Sequence, residues 1–342
     1  MYNSPFLRQK ASVRRVMVTV LVAMLPAIAV QVWLFGIGLL LQLVIASAVA
    51  LACEAGMLAL RRRPVARALG DGSALVTAWL IAVCLPPLLP WWMIVLGTAF
   101  AIVIGKHLYG GLGQNPFNPA MLAYCVLIVS FPALMSQWPG LHGGDAAAQL
   151  HWIAGGERTL DAMTGATPLD ALRTGLHGGG EVASVMQSAA AGPAFGRVAG
   201  AGWEWVALAW AAGGLLLLAM RIITWHIPVA FLGSLAAIAG LTSAIDGAHF
   251  AGPAFHLMAG GSMLGAFFIA TDPVSGATTP RGKLIFAAGI ALIAWLIRTF
   301  GAYPDGIAFA VLLMNICVPL IDQKTQPPVF GHKLGKPDGG AK

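Results

Sequence analysis

The sequence predicts an all-α polytopic membrane protein of about ten transmembrane helices, with one long outer loop. Three observations predict it. Of 342 residues, 58% are hydrophobic and only 10% are charged, against roughly 25% charged in ordinary soluble domains. Apolar runs recur at lengths near the roughly 20 residues that a spanning helix needs. Basic residues are segregated to one side of those runs. A soluble enzyme and a disordered chain are both disfavoured. The net charge of +7 would suggest nucleic acid, but its segregation makes it topological, and no nucleic-acid partner is expected.

The elements follow in order. A first span, 16–35, comes after Arg14 and Arg15. It is too long for a signal peptide and no small-residue cleavage site follows it. The second, 37–60, ends at Arg61-Arg62-Arg63. The third and fourth, 74–90 and 91–105, are short and separated by Pro86, Pro87 and Pro90, and read either as half-helices or as a hairpin. A fifth, 119–138, closes a first helix group over 1–138. Residues 139–203 form a loop rich in Gly, Ala and acidic residues; loops this long are usually functional or disordered. A second group over 204–322 holds spans 204–223, 226–245, 254–270, 284–300 and 305–321. Residues 323–342 are a tail, loosely polar from about Gly331.

Charge orients the bundle. With both termini inside, sixteen of the 20 Lys and Arg residues fall inside, leaving Arg158, Arg173, Arg197 and Arg298 outside. Eight of the 13 acids fall outside, among them Asp161, Asp170, Glu204 and Asp305. That is the positive-inside bias. Trp91, Trp92, Trp203 and Trp205 sit near span ends and read as interfacial anchors. Cys53, Cys84, Cys125 and Cys317 lie in apolar runs without a CxxC pair, so they read as small core residues and no metal site is predicted.

Two inner connections mix Gly, Pro and small polar residues: 110–119 (GGLGQNPFNP) and 271–280 (TDPVSGATTP). Such backbone is tolerated near a membrane only where it is buried or lines a cavity, and in transporters it marks broken helices that bind ligands or ions. An ordinary turn is the plain alternative. Asn115 and Asn118 could offer carbonyl or amide groups to a ligand there. Glu54, within the second span, is a functional candidate by default; its nearness to the Arg61 run leaves a snorkelled or paired structural role equally open. Asp272 joins the candidate ion path. It also shares with Asp71, Asp305, Lys106 and His107 a position at a span end that suits capping. The run from the first of these loops to Pro132 faintly resembles Gly301–Pro319, each with an apolar helix, a Cys-Val pair and a closing Pro. Halves of five helices repeated this way would be inverted.

The outer loop holds Asp161-Ala162-Met163-Thr164-Gly165-Ala166-Thr167-Pro168-Leu169. It is a small hydroxyl-bearing turn, with Thr167 held extended by Pro168. Such a turn could accept a modification or bind an anion, and is otherwise a plain Ser/Thr turn. The pattern D-x-x-[ST]-G-A-T resembles the flavinylation motif of the bacterial flavin transferase, which joins FMN through its phosphate to the last Thr. Together with 105–122 (GKHLYGGLGQNPFNPAML), 261–283 and 303–322, it makes the chain, from about residue 1 to 332, similar to a family of membrane subunits. That family contains the D subunit of Rnf electron-transport complexes and the B subunit of the sodium-pumping NADH:quinone reductase. The resemblance implies covalent FMN on Thr167, with Asp161, Thr164, Gly165 and Ala166 as the recognised motif, and a further non-covalent riboflavin. It implies electron flow between ferredoxin and NAD through partner subunits carrying iron–sulfur clusters and a second flavin, coupled to Na⁺ or H⁺ movement. It implies a bacterial inner membrane, with cytoplasmic termini and a periplasmic loop. Residues 272–278 (DPVSGAT) also fit the motif, but the charge bias puts Thr278 inside, away from the transferase. Two other classes compete: a stand-alone secondary transporter with a broken-helix site and no covalent flavin, and a structural scaffold for redox subunits.

Overall fold

The computed structural model describes residues 12–141, 145–156, 164–188 and 194–326. Regular structure among them is helical; the only extended pairings there are the isolated bridges Pro139–Thr164 and Phe195–Gly200. Among the described residues, five helices are long and apolar enough to span a membrane: α1 (Val13–Phe35), α2 (Gly38–Leu60), α12 (His226–Ile245), α15 (Pro280–Phe300) and α16 (Ile307–Thr325). Between α2 and α12 lie α3 (Val65–Leu69), α4 (Ser73–Cys84), α5 (Trp91–Phe100), α6 (Pro119–Ser130), α7 (Pro132–Met135), α8 (Ala146–Ile153), α9 (Pro168–His177), α10 (Val182–Gln187) and α11 (Trp203–Ala219). A π-helical segment, Ala101–His107, continues α5. The remaining span is broken: α13 (Pro253–Met258), then α14 (Ser262–Leu264) running into a π segment, Gly265–Ile269.

Three predicted spans therefore differ from continuous helices. The run 74–90 keeps helix only to Cys84, because Pro86, Pro87 and Pro90 cannot continue it. The run 119–138 breaks at Phe131, ahead of Pro132. The run 254–270 breaks at Ala259–Gly261, where Gly260 takes φ +62°. Sequence also marks the starts. Asn118, Thr167 and Thr279 cap α6, α9 and α15, each followed by Pro at the first helical position.

The two helix groups pack against each other. The first helix of each, α1 and α11, pack on each other, as do the last, α6 and α16. α2 lies against α4 and α5, while α12 lies against α13 and α15. One end of the bundle gathers the start of α1 (Met17), the 108–118 and 271–279 loops and the last turns of α16; Asp322 accepts from Thr278 there. The other end carries the described residues of the 139–203 segment. There Gln149 of α8 plugs the α1–α2 turn, accepting from Gly38 N–H and donating to Phe35 O. We call these the terminal end and the loop end.

Lipid tails are as apolar as leucine, so packing, not hydrophobic transfer, must join such helices, and small residues let backbones approach. Gly213 and Gly214 of α11 do this. A Cβ on Gly213 would lie 2.0 Å from the Ala23 carbonyl oxygen, and one on Gly214 would lie 2.2 Å from Phe267 Cγ. Large side chains turned outward, such as Val44, Leu215, Leu241 and Ile316, form the exposed belt. Cys317 is also exposed, so it is not the core residue the sequence suggested; it stands on the outward face of α16.

Gly213→Val should therefore cost more than about 3 kcal/mol, the upper end of ordinary overpacking. Its Tm in detergent is expected to collapse, while Gly233→Ala, with open space at the Cβ, keeps the wild-type value. An unchanged Tm for Gly213→Val would remove the α1–α11 contact as the seam between the halves.

Candidate functional site

A cavity lies toward each end of the bundle. The loop-end cavity encloses about 440 Å³, within the size range of small-molecule sites. Its walls include Tyr124 of α6, Trp138, Trp203 and Trp210 of α11, Tyr303, and the polar residues Thr167, Asp170, Arg173 and Asp305. Trp203 is thus a cavity wall, edge-on against Trp138 at 5.2 Å. Trp91, Trp92 and Trp205 are exposed.

Thr167 reaches this cavity because it caps α9. Its hydroxyl oxygen accepts from Asp170 N–H at 3.3 Å. The turn before it is pinned, with Gly165 N–H donating to Trp138 O at 2.9 Å and Thr164 bridged to Pro139. Ala166 is exposed. Asp161 lies outside the described residues. Arg173, two turns along α9, donates from Nη1 to Ala302 O, and its buried Nε has no partner among the described residues. A buried donor left open at a cavity wall is what a site for an electron-rich ligand presents.

The terminal-end cavity encloses about 410 Å³ and is lined by Ser73, Lys106, Asn115, Asn118, Asp272 and Thr278, among others. The two broken loops meet here. Asn118 Oδ1 caps α6 by accepting from Ala120 and Met121 N–H, and its Nδ2 donates to Ile269 O. Asn115 Nδ2 donates to Phe117 O at 2.9 Å. Asp272 closes its own turn, accepting from Val274 N–H and the Ser275 hydroxyl. Desolvation raises its carboxyl above the usual carboxylate range, against those lowering bonds. Asn315 of α16 ties the loops together. With its amide turned to suit its neighbours, it accepts from Asn118 N–H and donates to Ser275 O, both at 3.1 Å. In the sequence, Asn315 is marked only by being a polar residue in an apolar run. Thr278, in the second motif copy, donates its hydroxyl to Asp322 at 2.8 Å. The two motif threonines therefore stand at opposite ends of the bundle.

Only a thin wall separates the cavities. Met121 and Ile269 face the loop-end cavity, and their chain neighbours Ala120 and Phe268 the other. Phe268 also meets Trp210 edge-on at 5.1 Å.

Glu54 does not face a cavity alone. Both its oxygens accept from Lys106 Nζ at 2.9 Å, and His107 Nε2 is 3.0 Å from Oε2. Lys106 also donates to Ser73 Oγ, and Arg61 donates to the His107 carbonyl. The paired alternative is the one the structure builds. Asp71 has a capping role, accepting from Ser73 N–H at 2.7 Å.

Residues 1–331 match the model of the NQR2, RnfD, RnfE family. The chain is 50% identical to the D subunit of the ion-translocating oxidoreductase complex of Escherichia fergusonii, covering 97% of this chain and 98% of that one. The corresponding proteins of Citrobacter koseri and Klebsiella pneumoniae are 51% and 50% identical over the same shares.

The chain belongs to the NQR2, RnfD, RnfE family. The match runs through both helix groups and the loop between them, so family membership covers both cavities.

Removing one partner of a buried ion pair costs about 3–5 kcal/mol, while replacing both is often neutral. The Glu54 and Lys106 side chains are 4% and 3% exposed. Lys106→Met should therefore lower the Tm in detergent sharply, and adding Glu54→Gln should recover most of the loss. A double variant no more stable than Lys106→Met would show that the pair is not what holds α2 to the end of α5.

Proposed function

We propose that this chain is a D-type membrane subunit of an ion-translocating oxidoreductase complex, carrying FMN esterified through its phosphate to Thr167. The relatives' name supports the complex. The observation that carries the cofactor is the position of the Thr167 hydroxyl, on the wall of a flavin-sized cavity lined by aromatic rings. A stand-alone transporter has no use for such a tether.

The residues present suit the group. A phosphate on Thr167 would stand at the N-terminus of α9, where the helix dipole favours an anion. The open Arg173 Nε is a further donor at the same wall. Tyr124, Trp138, Trp203 and Tyr303 offer planar apolar surface for a ring system and keep water from it. The flavin supplies the passage of one or two electrons, and the protein fixes its place and its surroundings. We assign the recognition of Thr167 by the flavin transferase to the segment 161–167, on the periplasmic side of a bacterial inner membrane, with both termini cytoplasmic. Electrons reach and leave the site through iron–sulfur and flavin subunits between ferredoxin and NAD, coupled to Na⁺ or H⁺ transport. The terminal-end cavity is our assignment for the non-covalent riboflavin. Its volume is similar, and the Asn115, Asn118 and Asp272 polar groups line it.

The test is in-gel flavin fluorescence with intact mass, on protein made together with the flavin transferase. Thr167→Val should abolish fluorescence and the added mass, and Thr278→Val should keep both. Flavin extractable by acid should survive in Thr167→Val if the second cavity holds riboflavin. Covalent flavin persisting in Thr167→Val would overturn the assignment.

A further inference from the structure

One charge pair on the loop-end cavity has no part in the tether. Arg298 lies within α15, and its side chain is 1% exposed, against 24% for Asp305. The guanidinium donates from Nε and Nη2 to Asp305 at 3.2 Å. Its Nη1 donates to His256 O at 2.9 Å, satisfying a carbonyl freed by the break between α13 and α14. Asp305 also accepts from Gly261 N–H at 2.8 Å and Ile307 N–H at 3.2 Å. Asp305 lines the cavity; Arg298 stands behind it. A Cβ on Gly260 would meet Asp305 Oδ2 and Leu169 Cδ1 at 2.5 Å each. The carboxylate and Leu169 of α9, two residues from Thr167 in the chain, therefore both lie close to Gly260. Among the described residues, the other charged groups on the cavity wall are Asp170 and Arg173.

We propose that the Arg298–Asp305 pair is a tuning element that sets the reduction potential of the flavin held by Thr167. The inference rests on the assignment of FMN to that residue. At a partly buried cavity wall, a single charge acts more strongly than in water. At neutral pH the two-electron couple takes up two electrons and one proton, so the reduced ring carries one more negative charge than the oxidised ring. Paired, Arg298 and Asp305 present little net field to that charge. Unpaired, each imposes its own sign. Asp305→Asn leaves a buried cation beside the cavity and favours reduction. Arg298→Met leaves a carboxylate on the wall and opposes it. A role confined to holding the helix break would move both variants in one direction, through the same loosening.

The experiment is a spectroelectrochemical titration of the purified, flavin-loaded full-length protein. Asp305→Asn should raise the midpoint and Arg298→Met should lower it, each by at least tenfold in the two-electron equilibrium, or about 30 mV. The double variant Asp305→Asn/Arg298→Met should fall between them. Unshifted midpoints, or shifts of the same sign, overturn the proposal while leaving the Thr167 assignment standing. Absence of in-gel flavin fluorescence in the wild type overturns that assignment and this proposal with it. Where one neutral variant does not fold, the other is titrated alone, and a midpoint unshifted, or shifted against the sign given for it, overturns the proposal.

Discussion

A helix broken inside a membrane frees backbone groups that have no water to bond. Every such group must find a partner in the protein. The architecture follows from how this chain meets that demand. At the α13–α14 break, the Ser262 hydroxyl donates to His256 O and Ala259 O, and Arg298 donates to His256 O. At the α1–α2 turn, Gln149 reaches in from the outer loop to serve both sides. At the terminal end, Asn118 caps α6 and donates to Ile269 O. Each of these sites draws on a side chain from a distant part of the chain, so local irregularity and long-range packing are a single feature.

That coupling explains where the cavities are. Broken segments cannot fill space as continuous helices do, and their ends leave room on the inner side of the bundle. The loop-end cavity borders the α13–α14 break and the 301–306 turn; the terminal-end cavity borders the 108–118 and 271–279 loops. The π segments add to this. Within Gly265–Ile269, Phe268 lines one cavity and Ile269 the other.

Charge inside the bundle is handled in pairs. Glu54 with Lys106, and Arg298 with Asp305, each join separate elements of the bundle. Such pairs contribute specificity of arrangement more readily than net stability. Their positions differ in consequence. Lys106 lines the terminal-end cavity and Asp305 the loop-end cavity, so each cavity has a charged group whose counter-charge lies behind the wall.

The sequence by itself determined the class and the apolar segments. Length, apolarity and charge bias act locally, and they can be read from residues in order. Helix starts at Asn118-Pro119, Thr167-Pro168 and Thr279-Pro280 were equally legible, because capping involves neighbours only. The breaks at Phe131 and Gly260 were less so. A run of apolar residues looks the same whether or not a distant Arg298 or Ser262 is there to satisfy its carbonyls. Glu54 was visible as an acid in a span, but its alternatives were settled only when Lys106 and His107 closed on it. Asn315 and Arg298 were not singled out as site residues, since nothing adjacent to either signals its partner. Two copies of one seven-residue pattern differ only in surroundings, and folding placed Thr167 on an aromatic cavity and Thr278 against Asp322. Tertiary structure decides such questions because cavities and buried charge pairs are made by residues from separate segments, and their energies exist only once those segments meet.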